Sequence, residues 1–324
     1  MIRVGIVGTG GMGTVHRTNY QYIEGCLVAA VCGNQEKARE WGVPGYREIT
    51  RMAREERLDL IDICTPTYLH YGQVKEALKL CSVICEKPLA LTSREAEDLF
   101  RTAEEYGHHL YVAQVLRFFP EYKILEKMVK EGSCGRMLDG YFWRLSSKPA
   151  WTSGGWMTDR KKSGLVPYDL HIHDLDFAVS LFGMPKKYQV TAARGPEDEM
   201  AQQYRFCYEF ENAGTVHMCA EAAWYRGNYT WSAGYRVCFE RGVLEARDGK
   251  AVLYREGQEP RELDTSQKRL IPTGINVPPT GVYLEELEHF VSCARRNVDS
   301  EIVRREQVTG VLSLLERIDG EGEL

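Results

Sequence analysis

The segment of this sequence with the clearest chemical potential is the glycine-rich turn Gly8-Thr9-Gly10-Gly11-Met12-Gly13. In a GxGxxG turn the first glycine allows the tight bend, and the second lets the backbone approach a pyrophosphate. The third allows close packing of a helix on a strand, and the helix N-terminus adds N–H groups and partial positive charge. Because the turn follows an apolar run and precedes a helical pattern, we expect it to bind a dinucleotide through Gly8, Thr9, Gly10, Gly11, Met12 and Gly13.

The end of the second apolar run bears on which dinucleotide is preferred. A carboxylate that holds the ribose 2′-OH is expected about 20 residues after the turn, but the sequence there reads Cys32-Gly33-Asn34. Asn34 can hydrogen-bond a ribose hydroxyl, and no arginine precedes Arg39 to bind a 2′-phosphate. We therefore expect NAD to be preferred, while NADP is not excluded, because Lys37 could reach a phosphate.

Asp169 and His173 are four residues apart in a segment with helical periodicity. This spacing places both side chains on one helix face, and a histidine with an ordinary pKa near 6.5 suits a general base at neutral pH. The alternative is a core histidine on an apolar face. His171 and His173 point about 200° apart on a helix, so a shared metal ion is not expected.

The first part of the chain alternates short apolar runs with helical stretches. The runs are Ile2–Val7, Leu27–Val31, Leu58–Cys64, Val83–Cys85 and Leu110–Val115. Nearly continuous apolar strands are typical of a parallel sheet covered on both faces. A helix is predicted over Thr92–Tyr106, with Thr92 and Glu95 as a capping box and Gly107 after its end. Residues 1–118 are therefore predicted to form a doubly wound α/β (Rossmann) domain.

From residue 119 to 324 the pattern changes to strand-like runs that follow one another. One helix is predicted over Glu121–Lys130, a second at about Asp169–Phe182 and a third near Tyr283–Arg295. Runs of strands without intervening helices indicate a large, mainly antiparallel sheet. These residues are predicted to form an α+β domain. The strand-like runs are Met137–Leu145, Tyr188–Ala193, Gln203–Phe210, Thr215–Ala222, Tyr235–Phe239 and Val252–Tyr254.

Composition excludes several classes of protein. The 324 residues contain 41 Lys and Arg against 46 Asp and Glu, a net charge of −5, which argues against nucleic acid as a partner. No apolar run approaches the roughly 20 residues that span a bilayer. The opening residues already form a strand and a turn, so a cytoplasmic protein without a leader is expected. The ten cysteines include no CxxC pair, and we expect them to be reduced, small apolar residues.

Three further motifs follow predicted strands: Thr65-Pro66-Thr67-Tyr68-Leu69-His70, Glu86-Lys87-Pro88, and the Asp169–Asp176 segment. With the glycine turn, their order and spacing resemble the glucose–fructose oxidoreductase, inositol dehydrogenase and MocA family over nearly the whole chain. The resemblance implies a catalytic set of Lys87, His173 and Asp169. It implies that Thr65, Pro66, His70, Glu86 and Lys87 join the glycine turn and Asn34 in binding the cofactor. The implied substrate contacts are Lys87, Arg117, Tyr168, Asp169 and His173.

The function that this resemblance implies is hydride transfer between a secondary alcohol carbon of a sugar, cyclitol or related polyol and NAD(P). Two alternatives stay open: a glycosidase or lyase that oxidises its substrate transiently with tightly held NAD, and a dinucleotide-binding sensor without activity. An open sheet face is usually buried against another subunit, so a homodimer or homotetramer is expected. Trp151 and Trp156 either line a sugar or pack a loop, and the sequence does not distinguish these roles.

Overall fold

The predicted apolar runs of the first domain are strands of one parallel sheet in the computed structural model, which describes residues 1–150, 152–195, 200–211, 214–275 and 277–320. Trp151 lies outside these residues. The sheet order is β3-β2-β1-β4-β5-β6, which confirms the doubly wound fold. The third strand is only two residues long. The strands are β1 Ile2–Val7, β2 Cys26–Cys32, β3 Gly45–Tyr46, β4 Leu60–Ile63, β5 Ser82–Glu86 and β6 Leu110–Ala113.

One of the helices that connect the strands of this sheet begins and ends at residues with local capping signals. The Thr92 side chain accepts the Glu95 N–H at 3.2 Å, and Gly107 takes the left-handed conformation with φ 68°. The predicted helix therefore begins at Ser93 and ends at Tyr106. The five helices are α1 Gly11–Tyr20, α2 Gln35–Trp41, α3 Ile49–Glu56, α4 Thr67–Ala77 and α5 Ser93–Tyr106.

The division into compact units differs from the expected one at a single segment. One unit contains Met1–Phe118 together with Gln267–Thr309, and the other contains Phe119–Ser266 and the chain from Gly310 onward. We expected all residues from 119 onward to form one domain. The physical reason for the difference is burial, because apolar side chains of 282–296 lie in the core of the first unit, where Phe290 stacks on Tyr111 at 5.5 Å.

The second unit is built on an eight-stranded sheet in the order β14-β13-β12-β11-β7-β10-β9-β8. Its pairs are antiparallel except β7 with β10, which run parallel, so the mainly antiparallel prediction is confirmed. The strands are β7 Met137–Ser147, β8 Lys187–Ala193, β9 Gln203–Glu211, β10 Thr215–Tyr225, β11 Ser232–Phe239, β12 Gly242–Arg247, β13 Lys250–Tyr254 and β14 Arg261–Leu263.

The remaining helices bring one feature that the sequence pattern does not indicate. A π-helical turn, Pro167–His171, precedes α8, where a single α-helix was expected. Turns of this kind are rare and often occur at functional sites. The helices are α6 Pro120–Glu131, α7 Arg160–Ser163, α8 Ile172–Phe182, α9 Val282–Arg296 and α10 Arg305–Gly320. Among the described residues, no helix combines the length and apolarity needed to cross a bilayer.

The expectation that the cysteines are reduced is wrong for one pair. Cys207 on β9 and Cys219 on β10 form a disulfide. The reason is register, because these two residues lie directly opposite each other in the antiparallel pair, with Cα atoms 4.2 Å apart. The other eight cysteines are free thiols.

Candidate functional site

The three motif glycines of the turn differ in what surrounds them. A Cβ on Gly13 would lie 2.1 Å from the Gly8 carbonyl oxygen, so a side chain there would collide with backbone. Gly8 itself has φ 99°, in the left-handed region. A Cβ on Gly10 would meet no atom within 4 Å. The turn is thus closely packed at its base and open at Gly10.

The open side of the turn is also the N-terminus of α1. Gly10 is the N-cap residue and brings no side-chain hydrogen bond to the first turn of the helix. The first N–H groups of an α-helix have no partner within the helix and attract an anion. The space beside Gly10 is open, because no atom lies within 4 Å of where its Cβ would be. A dinucleotide pyrophosphate could therefore approach the backbone of the turn there. In that arrangement Gly8 to Gly13 would hold the phosphates.

Asn34 lies beside the turn as the sequence predicts, but its side chain has a structural contact as well. Its backbone N–H donates to Thr9 Oγ1 at 3.2 Å, which joins the ends of β1 and β2. Its Oδ1 accepts the N–H groups of Glu36 and Lys37, so Asn34 caps α2. An N-cap asparagine is recognisable from sequence, and this signal was missed. Because Oδ1 accepts these two N–H groups, the Asn34 side chain would bind a ribose hydroxyl through its amide nitrogen, Nδ2.

The loops after β4 and β5 are tied together by His70. Its Nδ1 lies 2.7 Å from the Pro88 carbonyl oxygen and its Nε2 lies 2.8 Å from that of Thr65. The ring is buried, and burial lowers the pKa of His70. Thr65 and Pro66 are half-buried, and Pro66 is the N-cap of α4. His70 therefore fixes one predicted cofactor segment against the other.

The Glu-Lys-Pro segment follows β5 at the same sheet edge as the glycine turn. Glu86 is buried, and its Oε2 accepts the Lys87 backbone N–H at 3.2 Å. Lys87 is half-buried. Carboxyl ends of parallel strands form the ligand edge of such sheets. Arg117, in the 3₁₀ turn Val115–Phe118, is buried and donates to the Ile302 carbonyl oxygen at 3.4 Å.

In the second unit, Asp169 lies in the π-helical turn and His173 lies in the first turn of α8. Both side chains are half-buried, whereas Tyr168 is buried, and burial raises its pKa. The Tyr168 ring packs on Gly164, where a Cβ would lie 2.4 Å from ring carbons. Glycine before this helix therefore leaves room for Tyr168.

The residues on either side of His173 anchor α8 on the sheet. His171 stacks on Phe206 with ring centroids 3.7 Å apart, and its Nε2 lies 2.7 Å from the Tyr208 hydroxyl. Asp174 is fully buried and accepts two hydrogen bonds from Arg144 of β7, at 2.9 and 3.3 Å. The sequence pattern does not indicate this ion pair, although Arg144 occupies an inward position of an alternating strand.

The burial of His171 predicts a loss of stability in acid. Burial, and then the charge of Arg144, lower the pKa of His171 from 6.5 to about 3. Between these values the unfolded chain binds a proton at His171 and the folded chain does not, so stability falls as pH falls. We expect a contribution of up to about 1.4 kcal/mol per pH unit. The free energy of unfolding, measured in urea, should decline less steeply from pH 7 to about 5 in His171→Gln than in the native protein.

The matched control for this measurement is His217→Gln, because His217 is exposed on β10. Its stability should follow the native pH dependence. If His171→Gln follows the same dependence as both other proteins, the assignment of acid sensitivity to His171 is wrong.

One group of side chains in the first unit has metal-like spacing. The candidate ligand atoms of His16, Asp62 and Cys64 all lie within 4.8 Å of one another. They contact each other directly, with His16 Nδ1 2.8 Å from Asp62 Oδ2. The Cys64 Sγ lies 3.4 Å from His16 Nδ1 and donates to Asp62 Oδ1 at 3.4 Å, so the three groups already hydrogen-bond to one another. The group is therefore better described as a buried hydrogen-bond network.

Comparisons with known proteins agree with this architecture. D-glucoside 3-dehydrogenase of Escherichia coli is 27% identical over 231 residues, 68% of this chain and 61% of that protein. 2,7-anhydro-N-acetylneuraminate hydratase of Mediterraneibacter gnavus is 30% identical over 208 residues, 60% of this chain and 55% of that protein. The chain spans about half the length of the curated relatives it matches.

Solved structures and family models extend the likeness to both units. Levoglucosan dehydrogenase in complex with NADH has a TM-score of 0.81 at 19% identity, covering 98% of this chain and 96% of that one, which shows a shared fold. A model described as an oxidoreductase family with an NAD-binding Rossmann fold matches residues 2–114. The model of the GFO/IDH/MocA C-terminal domain matches residues 122–245. The chain belongs to the Gfo/Idh/MocA family of oxidoreductases.

Proposed function

We propose that this protein transfers a hydride between a secondary alcohol carbon of a sugar, cyclitol or related polyol and a nicotinamide dinucleotide. The observation that carries the proposal is the glycine turn, open at Gly10, on the same strand-end edge as Lys87. A bound nicotinamide would accept or donate the hydride. Relatives named as glucoside and inositol dehydrogenases support this substrate class.

The residues proposed for the chemistry are Lys87, His173 and Asp169. Lys87 and His173 together remove the hydroxyl proton, and a histidine is a suitable base near neutral pH. Lys87 places a positive charge beside the forming alkoxide, and Asp169 binds a substrate hydroxyl or orients the imidazole. Arg117 and Tyr168 complete the proposed substrate contacts. The family resemblance does not say whether Lys87 or His173 removes the proton, so we treat them as a coupled pair.

The experiment that tests the function is a substrate panel. Purified protein is mixed with NAD or NADP and with myo-inositol, scyllo-inositol, levoglucosan, a methyl D-glucoside or D-apiose, and absorbance of the reduced nicotinamide is followed. We expect at least one polyol to give sustained turnover. No reduction of either cofactor with any polyol would contradict the proposal.

A second candidate is a lyase or glycosidase in which tightly held NAD oxidises the substrate only transiently. The name of the relative from Mediterraneibacter gnavus, a hydratase, favours this possibility. Cofactor that copurifies with the protein, together with conversion of an anhydrosugar or glycoside without net reduction of NAD, would distinguish it from the dehydrogenase.

Substitution at Gly10 is expected to separate cofactor binding from folding. An alanine Cβ there meets no atom within 4 Å, and the backbone has φ −78°, so Gly10→Ala should fold normally. The added methyl group occupies the space that a pyrophosphate needs, and we expect NADH affinity to fall at least about tenfold. NADH fluorescence titration and thermal melting measure the two effects.

The comparison variant is Gly13→Ala, whose Cβ would lie 2.1 Å from the Gly8 carbonyl oxygen. It should lower both the melting temperature and NADH affinity, because the turn itself must move. Native NADH affinity in Gly10→Ala would contradict phosphate binding at this turn.

We expect NADH to bind more tightly than NADPH by about tenfold, or roughly 1.4 kcal/mol. Lys37 is the first basic residue after Asn34. Its ammonium group pairs with Glu40 at 2.7 Å and is therefore less available to bind a 2′-phosphate. Fluorescence titration with both reduced cofactors measures the ratio. Tighter NADPH binding would point to Lys37 or Arg39 as the phosphate contact.

We further propose that residues 1–118 bind the dinucleotide and that residues 119–324 supply substrate contacts and a subunit interface. A homodimer or homotetramer is proposed because an open sheet face is usually buried against another subunit. One face of the large sheet carries a groove of about 320 Å³. Tyr141 and Trp143 stack in it at 6.0 Å. Sedimentation velocity tests the oligomeric state, and a cytoplasmic location remains a prediction from the sequence.

A further inference from the structure

A buried line of polar contacts ends at the backbone of Lys87. His16, on α1, is fully buried, and its Nδ1 lies 2.8 Å from Asp62 Oδ2 on β4. Its Nε2 lies 3.1 Å from Oε1 of Glu86 at the end of β5. The second Glu86 oxygen, Oε2, accepts the Lys87 N–H at 3.2 Å. The imidazole therefore connects two buried carboxylates, and one of them contacts the backbone of Lys87.

The surroundings of His16 favour its protonated form. Nδ1 hydrogen-bonds Asp62, and Nε2 makes a charge contact with Glu86 at 3.1 Å without the geometry of a hydrogen bond, so two carboxylates face the ring. Burial lowers the pKa of His16, but Asp62 and Cys64 raise it more, and it lies well above 6.5. Tyr20, one turn further along α1, donates to Asp62 Oδ2 at 2.9 Å and fixes that carboxylate.

Glu286 of α9 also faces this network, as do the thiols of Cys26 and Cys85. Glu286 is fully buried, and within the described residues neither of its carboxyl oxygens has a hydrogen-bond partner. Burial, and then the charge of Glu86, raise its pKa well above the usual value. The imidazole of His16 lies between two buried carboxyl groups, Asp62 and Glu86, and is the basic side chain that contacts both.

We propose that His16 is a positioning residue for Lys87: it fixes the Glu86 carboxylate, which in turn fixes the backbone at Lys87. The inference rests on the proposed catalytic role of Lys87. It adds that a buried residue, His16, fixes the position of the Lys87 backbone from which the catalytic side chain extends. Without His16 the buried Glu86 carboxylate loses the imidazole that faces its Oε1 at 3.1 Å and is free to turn away. The Lys87 N–H then loses its acceptor.

Two substitutions separate the two contacts of the imidazole. His16→Gln places an amide nitrogen near the position of Nε2 and keeps a donor for Glu86. His16→Asn is shorter, keeps a donor for Asp62 and loses the reach to Glu86. We expect kcat to fall at least about tenfold in His16→Asn, with KM and NADH affinity nearly unchanged, because small displacements of a catalytic group mainly slow turnover. His16→Gln should retain kcat within about threefold of native.

Amide hydrogen exchange at Lys87 gives a readout that does not depend on turnover. Exchange of this N–H should be at least about tenfold faster in His16→Asn and near native in His16→Gln. Glu86→Gln, which weakens the same contact from its other side, should also lower kcat. The double variant His16→Asn/Glu86→Gln should be no slower than the slower single variant, since both act through one contact.

The outcomes distinguish this inference from the proposed function. If Lys87→Met is inactive but His16→Asn keeps native kcat and native Lys87 exchange, the positioning role is wrong and the function stands. If Lys87→Met stays active, the proposed function fails, and the exchange data alone decide whether His16 anchors the Lys87 backbone. Should His16→Asn not fold, native kcat in Glu86→Gln would overturn the inference.

Discussion

Replacing Lys87 with methionine, or His173 with asparagine, is expected to reduce turnover by about 10²–10⁴-fold. Methionine keeps the length of the lysine side chain but removes the charge that stabilises the forming alkoxide. Asparagine keeps polarity at position 173 but cannot accept the proton. NADH affinity should change much less, because the proposed phosphate site is elsewhere, at the glycine turn. Steady-state kinetics with a polyol that the native protein oxidises measure turnover, and fluorescence titration measures NADH affinity.

Matched controls are available for each substitution. Lys79 and His217 are exposed residues, so Lys79→Met and His217→Asn should keep native turnover. If Lys87 and His173 act as one unit, the double variant should lose far less than the product of the two single losses. Near-native turnover in Lys87→Met or His173→Asn would show that the assignment is wrong for that residue.

Breaking the buried ion pair between Arg144 of β7 and Asp174 of α8 is expected to lower the free energy of unfolding by about 3–5 kcal/mol. The reason is that one partner then remains buried without its counter-charge. Arg144 and Asp174 are both buried, and Arg144 also donates to the Tyr122 hydroxyl at 3.1 Å. Arg144→Met therefore leaves the Asp174 carboxylate without its cation. Urea unfolding followed by tryptophan fluorescence measures the loss.

The double variant Arg144→Met/Asp174→Leu tests the cause. Replacing both charges by apolar groups of similar size is often nearly neutral, so it should recover most of the loss. Lys187→Met, which breaks the exposed pair with Glu209, should have a much smaller effect. If the double variant is no more stable than Arg144→Met, the loss comes from packing and not from the unpaired charge.

Where structure follows from neighbouring residues, the sequence predicted it well. Thr92 and Gly107 fix the ends of α5 through a side-chain cap and a left-handed backbone, both of which are local effects. The apolar runs of β1, β2, β4, β5 and β6 are buried on the expected strands for the same reason. Such features do not require knowledge of which distant segments meet.

Features that depend on distant segments were missed. The bond between Cys207 and Cys219 depends on the register of β9 against β10, which neither strand determines alone. The packing of α9 with α1 and β6 is also not indicated by the sequence, because an amphipathic helix does not show which core it completes. For the candidate site, the residue types at Lys87, Asp169 and His173 could be named. The links of His16 to Glu86 and of Asp174 to Arg144 required coordinates.

The return of α9 to the first unit has a consequence for biosynthesis. A ribosome delivers β1 to β6 first, yet the core around Tyr20, Tyr111 and Leu60 also contains Leu287 and Phe290. These side chains emerge only after residues 119–266 have been translated. Until then the nascent dinucleotide unit exposes the apolar surface that α9 later covers, and such surface is what chaperones bind. The core of the first unit is therefore completed late in synthesis, although its sheet is among the first segments made.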